Sequence, residues 1–435
     1  MFEEGRIDII SMGCSKNLID SERLMYRLSE KGYNTVHDPE IPKGEYVVIN
    51  TCGFINDAKE ESVNMIVGLI KLKEFGEIGK IAVMGCLSER YLNDLKRELP
   101  EVDYWYGKFD WNGFIDQIPS KTIESSPQTG LERSLTTPPW SAYVKVSEGC
   151  NRFCAFCAIP HITGRHKSRT IEEILDEVEN LVKIGVKEFN IIAQDLSSYG
   201  TDIYGEQKLP ELIDRMAGIK GVEWIRLHYL YPSDFPMGIL DVMNRHDNVC
   251  KYLDIALQHI SDPVLENMRR HITGYETKLL LNKIRERVSY IHIRTTMMVG
   301  FPGEGDDEFE ELLGFLEEEE FERLGAFAYS EEDDTYAATQ FKDRISAEEK
   351  KERLEALMEL QQEISYELNK NKIGKTFKVL VERHEGTNAV GRTEYDSPEV
   401  DQEVIIKDCT ASPGEFVEVE IIDALPFELL AIIKS

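Results

Sequence analysis

The sequence has no apolar run approaching the ~18 residues that a membrane-spanning helix needs. Its opening, MFEEGRIDII, lacks both a basic n-region and a long apolar h-region, so no secretory leader is expected and the expected compartment is the cytoplasm. Positive charge is scarce: 50 Lys and Arg stand against 80 Asp and Glu, a net charge of −30. A chain this acidic lacks the clustered cations of a general nucleic-acid binder, so direct nucleic-acid binding is not expected. A basic protein is the better-suited partner, although solubility alone also accounts for such a charge. Cysteine is sparse too, with 8 in 435 residues, too few for a disulfide scaffold. There is no long-period repeat. The 42% apolar and 30% charged composition excludes wholesale disorder and leaves an ordinary globular chain, long enough for about three domains at roughly 150 residues each.

The fold class expected is α/β with a small β domain at the end. Three apolar runs, 7–13, 46–51 and 81–85, read as buried strands, each followed by a helical pattern. Alternation of this kind gives a parallel sheet covered by helices, here an N-terminal domain over 5–125. The stretch 117–140 is rich in Ser, Thr and Pro, and a linker is placed at 126–140. Six further strand candidates, 142–147, 187–193, 222–229, 251–257, 292–299 and 324–329, alternate with helices and suggest a partial (β/α)6 barrel over 141–371. Thr170 with Glu173 and Ser346 with Glu349 form capping boxes, the second opening a long helix to 372. The tail, 372–435, carries short alternating strands around the turn-rich GRTEYDSPEVD and reads as a small antiparallel β-barrel with a net charge of −6, from 7 basic and 13 acidic residues over 371–435.

The strongest chemical signal is Cys150-Asn-Arg-Phe-Cys154-Ala-Phe-Cys157, three cysteines in eight residues after the strand AYVKVSEG. In parallel βα folds, the C-terminal strand edge is the active-site edge. Three thiolates can hold three irons of a 4Fe–4S cube, and complete ligation takes four, so one iron stays open. The competing reading is a structural zinc site with His161 or His166 as fourth ligand.

Cys14, Cys52 and Cys86 form a second constellation. Each directly follows an apolar strand, in SMGC, NTCG and MGC, at spacings of 38 and 34 residues, about one βα unit. Neighbouring parallel strands end on one sheet edge, so the three can converge into a second three-thiolate site. The alternative is three unrelated buried thiols.

The loop motif resembles the signature of radical S-adenosylmethionine (SAM) enzymes. Two three-cysteine sites in this order resemble the methylthiotransferases of that superfamily, over nearly the whole chain, with a tail resembling a TRAM domain. The resemblance implies two 4Fe–4S clusters, held by Cys150, Cys154 and Cys157 and by Cys14, Cys52 and Cys86. It implies that SAM chelates the open iron of the first and is cleaved to a hydrogen-abstracting radical. The second cluster carries the sulfur to be inserted, one SAM methylates it, and a second SAM supplies the radical. A low-potential electron donor and a sulfur donor are implied. Gly300-Phe-Pro-Gly-Glu304 resembles the family stretch beside the SAM adenosine, which puts Arg294, Thr296, Val299 and Gly300 near SAM and Phe156 by the adenine. Gln258 and His259 resemble the pocket-lining end of a family strand, His259 having a core-histidine alternative, and Gln194 and Asp195 close another strand near SAM or substrate.

Within the family, Gly13-Cys14-Ser15-Lys16-Asn17 and GRTEYDSPEVD resemble the branch that modifies an aspartate of small-subunit ribosomal protein twelve at its β-carbon, giving 3-methylthioaspartate. The acidic tail agrees with a basic protein substrate. The branch acting on tRNA adenosine is the alternative, and a non-enzymatic metal-binding adaptor is the alternative from another class. The segment HITGRHKSR departs from its relatives, which more often carry Arg-Gly there. Its Arg165, His166, Lys167 and Arg169 are either substrate or SAM contacts or a solvated basic loop.

Overall fold

The computed structural model describes residues 1–121 and 131–434, so the 126–130 part of the expected linker lies outside the described residues. The chain falls into two compact units. One comprises Met1–Asn151, Cys157–Gly185 and Ile192–Gln194; the other comprises Arg152–Phe156, Val186–Ile191 and Asp195–Ser435.

In the first unit, β1 (Glu3–Ser11), β2 (Asn34–His37), β3 (Gly44–Thr51), β4 (Lys80–Gly85) and β5 (Tyr104–Trp105) form a parallel sheet in the order β2-β1-β3-β4-β5. The three central strands are the expected ones. The edge strands β2 and β5 are short and only partly buried, so neither carries a strong apolar run. Alternate residues of the central strands feed two cores. Ile7, Ile9 and Val48 pack with Leu24, Leu28 and Phe114 on one face, and Val47, Ile49 and Ile81 pack with Ile66 and Leu69 on the other. Burial on both faces explains why these strands read as continuous apolar runs. Helices α1 (Ser15–Glu30), α2 (Asn56–Glu74) and α3 (Cys86–Glu98) follow β1, β3 and β4. The same unit holds β6 (Ser141–Lys145) and an antiparallel pair, β7 (Ser147–Glu148) and β8 (Lys167–Ser168), which flank the cysteine loop in sequence. The Thr170–Glu173 capping box is formed at the next helix.

The second unit contains β9 (Glu188–Ile192, its last residue belonging to the first unit), β10 (Trp224–Leu230), β11 (Val249–Gln258), β12 (His292–Val299) and β13 (Arg323–Ala328), parallel and in the order β13-β12-β11-β10-β9. With β6 these make the six strands expected of the central region. The long helix Ala347–Lys370 is capped by Ser346, whose hydroxyl accepts from the Glu349 N–H.

The tail is a closed five-stranded barrel, β14 (Thr376–Glu385), β15 (Asn388–Thr393), β16 (Glu403–Lys407), β17 (Phe416–Ala424) and β18 (Glu428–Ile433), ordered β14-β15-β16-β18-β17. It departs from the expected all-antiparallel form, because β16 and β18 run parallel. The barrel docks on the N-terminal ends of the core strands, and the turn-rich GRTEYDSPEVD segment makes that joint. The buried Glu188 carboxylate accepts from Arg392 at 2.9 Å and also from Arg226, while Arg323 donates to Asp396. Tyr252 and Arg294 reach Asp401 at 2.9 and 3.2 Å, and His292 stacks on Tyr395 at 4.0 Å. Buried ions of this kind persist only when each is paired.

Candidate active site

At the C-terminal edge of the first sheet, the turns that follow β1, β3 and β4 lie against each other because glycine is present at the contacts. A Cβ on Gly13 would stand 2.8 Å from Cys52 Sγ, and one on Gly53 would stand 2.7 Å from the backbone of Leu87, beside Cys86. Cys14 is the N-cap of α1, and Cys86 is the first residue of α3. Two of the three thiols thus sit at helix N-termini, where partial positive charge favours a thiolate.

Asn17, the last residue of GCSKN, ties this edge together. Its amide donates to the carbonyls of Met12 and Thr51, both at 3.1 Å. Its Oδ1 accepts from Lys108 Nζ at 3.0 Å, and Cys86 Sγ lies 3.5 Å away. Lys108 is buried and also pairs with Asp20 at 2.9 Å. Crowding by surrounding atoms pushes the Cys14 thiol up, but Lys16, the Asn17 N–H and Lys108 outweigh it and leave the thiol below its ordinary value. Burial pushes Cys52 up and Cys86 up to about 11.

The cysteine loop is held differently. Cys150 N–H donates to the Gly164 carbonyl at 3.2 Å. Cys154 Sγ lies 3.2 Å from Arg270 Nη1 and 3.5 Å from Tyr231 Oη, and both Arg270 and Arg152 stack on the Tyr231 ring, at 4.0 and 4.3 Å. Ala158 and Ile162, just after Cys157, form a small apolar cluster with Cys86. A residue of the strand-end triad therefore packs directly beside the sequence that carries the last cysteine of the loop triad.

The other expected site residues differ in their surroundings. Gln258 ends β11 with φ of 74°, is buried, and has a carbonyl oxygen without a hydrogen-bond partner; Gln194 donates to Glu148, and its own carbonyl oxygen has none. Orphan acceptors of this sort at a strand's C-terminal end suit a polar ligand. Gly300 (φ 72°) and Val299 stand at the end of β12 and Thr296 in mid-strand, while Phe156 packs edge-on to Phe301 at 6.3 Å. Asp195 accepts from Arg152 of the cysteine loop at 2.7 Å while its Oδ1 has no hydrogen-bond partner, and Arg294 sits near the start of β12 bound to Asp401, away from the strand's C-terminal edge. His259 is fully buried; its Nδ1 accepts from the Ser261 N–H at 3.0 Å, and Nε2 lies 3.4 Å from Glu304. Burial would raise the Glu304 carboxyl, but His259, the Gly300 N–H and Arg353 together hold it below the usual carboxylate range. Of the basic segment, His166 is buried against Ser168 and Arg169 pairs with Glu177; Lys167 and Arg169 line a cavity of about 870 Å³ with Arg23 and Arg133.

Sequence reasoning missed Lys108, Asp20, Arg270 and Tyr231. Lys108 had a signal: it follows β5 as the cysteines follow β1, β3 and β4, but β5 is too short to read as a strand. Arg270 and Tyr231 come from distant loops and leave none. Among the described residues, no group of three or more His, Cys, Asp or Glu side chains is close enough to hold a single metal ion. A 4Fe–4S cube is a wider object, and three thiols on separate turns, with cationic groups behind them, fit the charge of one.

Residues 144–316 match the Radical SAM superfamily, residues 6–107 match the family described as Uncharacterized protein family UPF0004, and residues 373–433 match the TRAM domain. The fold is also that of a radical S-adenosylmethionine methyltransferase from Kitasatospora setae, with a TM-score of 0.55 at 14% identity over 77% of each chain. The chain is a radical SAM enzyme. Proteins named ribosomal protein uS12 methylthiotransferase RimO are 57% identical in Phocaeicola vulgatus and 53% identical in Porphyromonas gingivalis, each over 98% of both chains. A third, from Christiangramia forsetii, is 46% identical over 98% of this chain and 94% of its own. The chain belongs to the ribosomal protein uS12 methylthiotransferases.

Proposed function

We propose that this enzyme inserts a methylthio group at the β-carbon of an aspartate in ribosomal protein uS12, giving 3-methylthioaspartate, with two 4Fe–4S clusters and two molecules of SAM. Cys150, Cys154 and Cys157 hold one cluster; Cys14, Cys52 and Cys86 hold the other. The contact of Cys86 with Ala158, the residue after Cys157, carries this reading, because a sulfur group made at one site must reach a carbon activated at the other. When bound, the first cluster supplies the electron that cleaves SAM to a radical able to take hydrogen from an unactivated C–H bond, chemistry that no side-chain base provides.

The chain's own groups support that chemistry. Arg270 donates to Cys154 Sγ and fixes where that sulfur stands. Arg152, fixed by Asp195 and by Asp234 at 2.9 Å, orders the loop between the first two cysteines. Gln258 presents an acceptor to SAM or substrate, and Phe156 with Gly300 and Val299 forms the adenosine side. Glu385, Asp408, Glu415, Glu418, Glu420 and Asp423 are exposed on the barrel and suit a basic ribosomal protein. An electron donor and a sulfur donor complete the reaction, in the cytoplasm; no helix among the described residues is long and apolar enough to cross a membrane.

The test is mass spectrometry after anaerobic reaction of the iron- and sulfide-reconstituted protein with SAM, dithionite and whole uS12, beside a tube holding a tRNA anticodon stem-loop. We expect uS12 to gain one –SCH3 in place of hydrogen. The same gain on the RNA alone would overturn the reading.

A further inference from the structure

The strand-end cysteine site is backed by a cation that the reaction as proposed does not use. Lys108 is only 4% exposed, and a buried ammonium is costly unless it is paired, as this one is with Asp20. Its Nζ donates to Asn17 Oδ1 and Asp20 Oδ2, which leaves a third N–H with no acceptor among the described residues. Asn17 Oδ1 is the atom that Cys86 Sγ also approaches, so one carbonyl oxygen links the ammonium to the thiol. Asp20 is itself shared: its other oxygen takes Lys145, which pairs with Glu148 at 2.7 Å. The ammonium is thus fixed on one side by a carboxylate that a second lysine already draws upon, and its field falls on all three thiols.

We propose that Lys108 is a positioning residue for the Cys14–Cys52–Cys86 site, its clamped ammonium balancing the negative charge that three thiolates and an anionic sulfur ligand bring to the sheet edge and thereby setting the site's reduction potential. This rests on the reading that the triad carries a 4Fe–4S cluster. Asp20 acts in the opposite sense, as the fixed negative charge behind the lysine. Two opposed charges held this close predict opposed effects when each is removed, which loss of packing does not.

The experiment uses the full chain with Cys150, Cys154 and Cys157 all changed to Ala, reconstituted anaerobically with ferrous iron and sulfide, so that only the strand-end site is loaded. Iron content is measured, and the midpoint potential is read by an electron paramagnetic resonance titration. In K108M, loss of the positive charge disfavours the reduced form, and we expect the reduced-to-oxidised ratio at the parent midpoint to fall about tenfold, a shift of about 59 mV to more negative potential for one electron. D20N shifts it several-fold the other way, K108R stays near the parent value, and the K108M/D20N double variant lies between the singles. Either single carries the test if the other fails to fold. Iron bound with unshifted potentials, or shifts of one sign in both singles, overturns the proposal and leaves the cluster reading intact. No iron in the parent overturns both.

Discussion

The two cysteine triads solve one problem in different ways. Cys14, Cys52 and Cys86 are spaced by 38 and 34 residues and meet because three parallel strands end on one edge. Cys150, Cys154 and Cys157 are neighbours in sequence, and their loop is held by groups from elsewhere: Arg270 and Tyr231 on Cys154, and Asp195 on the loop's own Arg152. A site on strand ends inherits its geometry from the sheet, and its thiols differ because Cys14 and Cys86 sit at helix N-termini, Cys52 does not, and the three differ in burial. A site on a loop depends on side chains that reach in, and its fragility lies in those reaching groups.

The sharpest way to break this comparison is to remove one cysteine from each triad. In Cys150→Ala we expect deoxyadenosine formation and methylthiolation both to fall below detection by chromatography and mass spectrometry. In Cys52→Ala we expect deoxyadenosine to persist while methylthiolated product disappears. Product from the Cys52 variant would end the division of labour. Next in size, Arg270→Met should weaken iron retention at the loop site by roughly 10- to 100-fold, as losing a group that orients a ligand does, with the strand-end site unaffected. Iron counts in a background lacking the other triad read this directly. In the metal-free protein at pH 8, Cys14, held below its ordinary value and exposed, should alkylate at least about tenfold faster than buried Cys86 at about 11. Raising the pH towards 11 should narrow the gap, since Cys86 gains thiolate there while Cys14 is already ionised; peptide-resolved labelling with iodoacetamide follows both. The smallest effect is Ser62→Ala. Its hydroxyl accepts from the Cys52 N–H at 3.1 Å and donates to the Cys52 carbonyl at 2.9 Å, so its loss should cost about 1–2 kcal/mol in urea unfolding without touching the loop site.

The contrast also explains what could be read in the sequence. The loop triad is proposed from a local motif, and the strand-end triad from a regularity of the fold, since an apolar run followed by Cys recurs at β1, β3 and β4. The core strands were legible because burial on both faces leaves unbroken apolar runs. What escaped was set by tertiary contact. Arg294 resembles a residue near SAM, yet it is drawn to Asp401 of the barrel, a partner 107 residues away that no spacing announces. GRTEYDSPEVD reads as a turn-rich tail segment, and the structure uses it as the joint between barrel and core, where Arg392 meets Glu188, Asp396 meets Arg323 and Asp401 meets the Tyr252 hydroxyl. The parallel β16–β18 pair was invisible because strand direction in a small barrel follows from loop paths, not composition.

That joint turns the second unit into a ruler. Glu188, Tyr252 and Arg323 fasten the barrel at the N-terminal ends of the strands, while Gln258 and Gly300 mark their C-terminal ends. On β11 the anchor Tyr252 and the edge residue Gln258 are six residues apart, about 20 Å at roughly 3.3 Å each. If the barrel swung away, Arg392 would lose Glu188 and Arg323 would lose Asp396, so the separation is held by buried ion pairs. A substrate held at the barrel and at that edge together would have to span at least this distance, and a peptide of only a few residues around the target aspartate would do without one of the two holds.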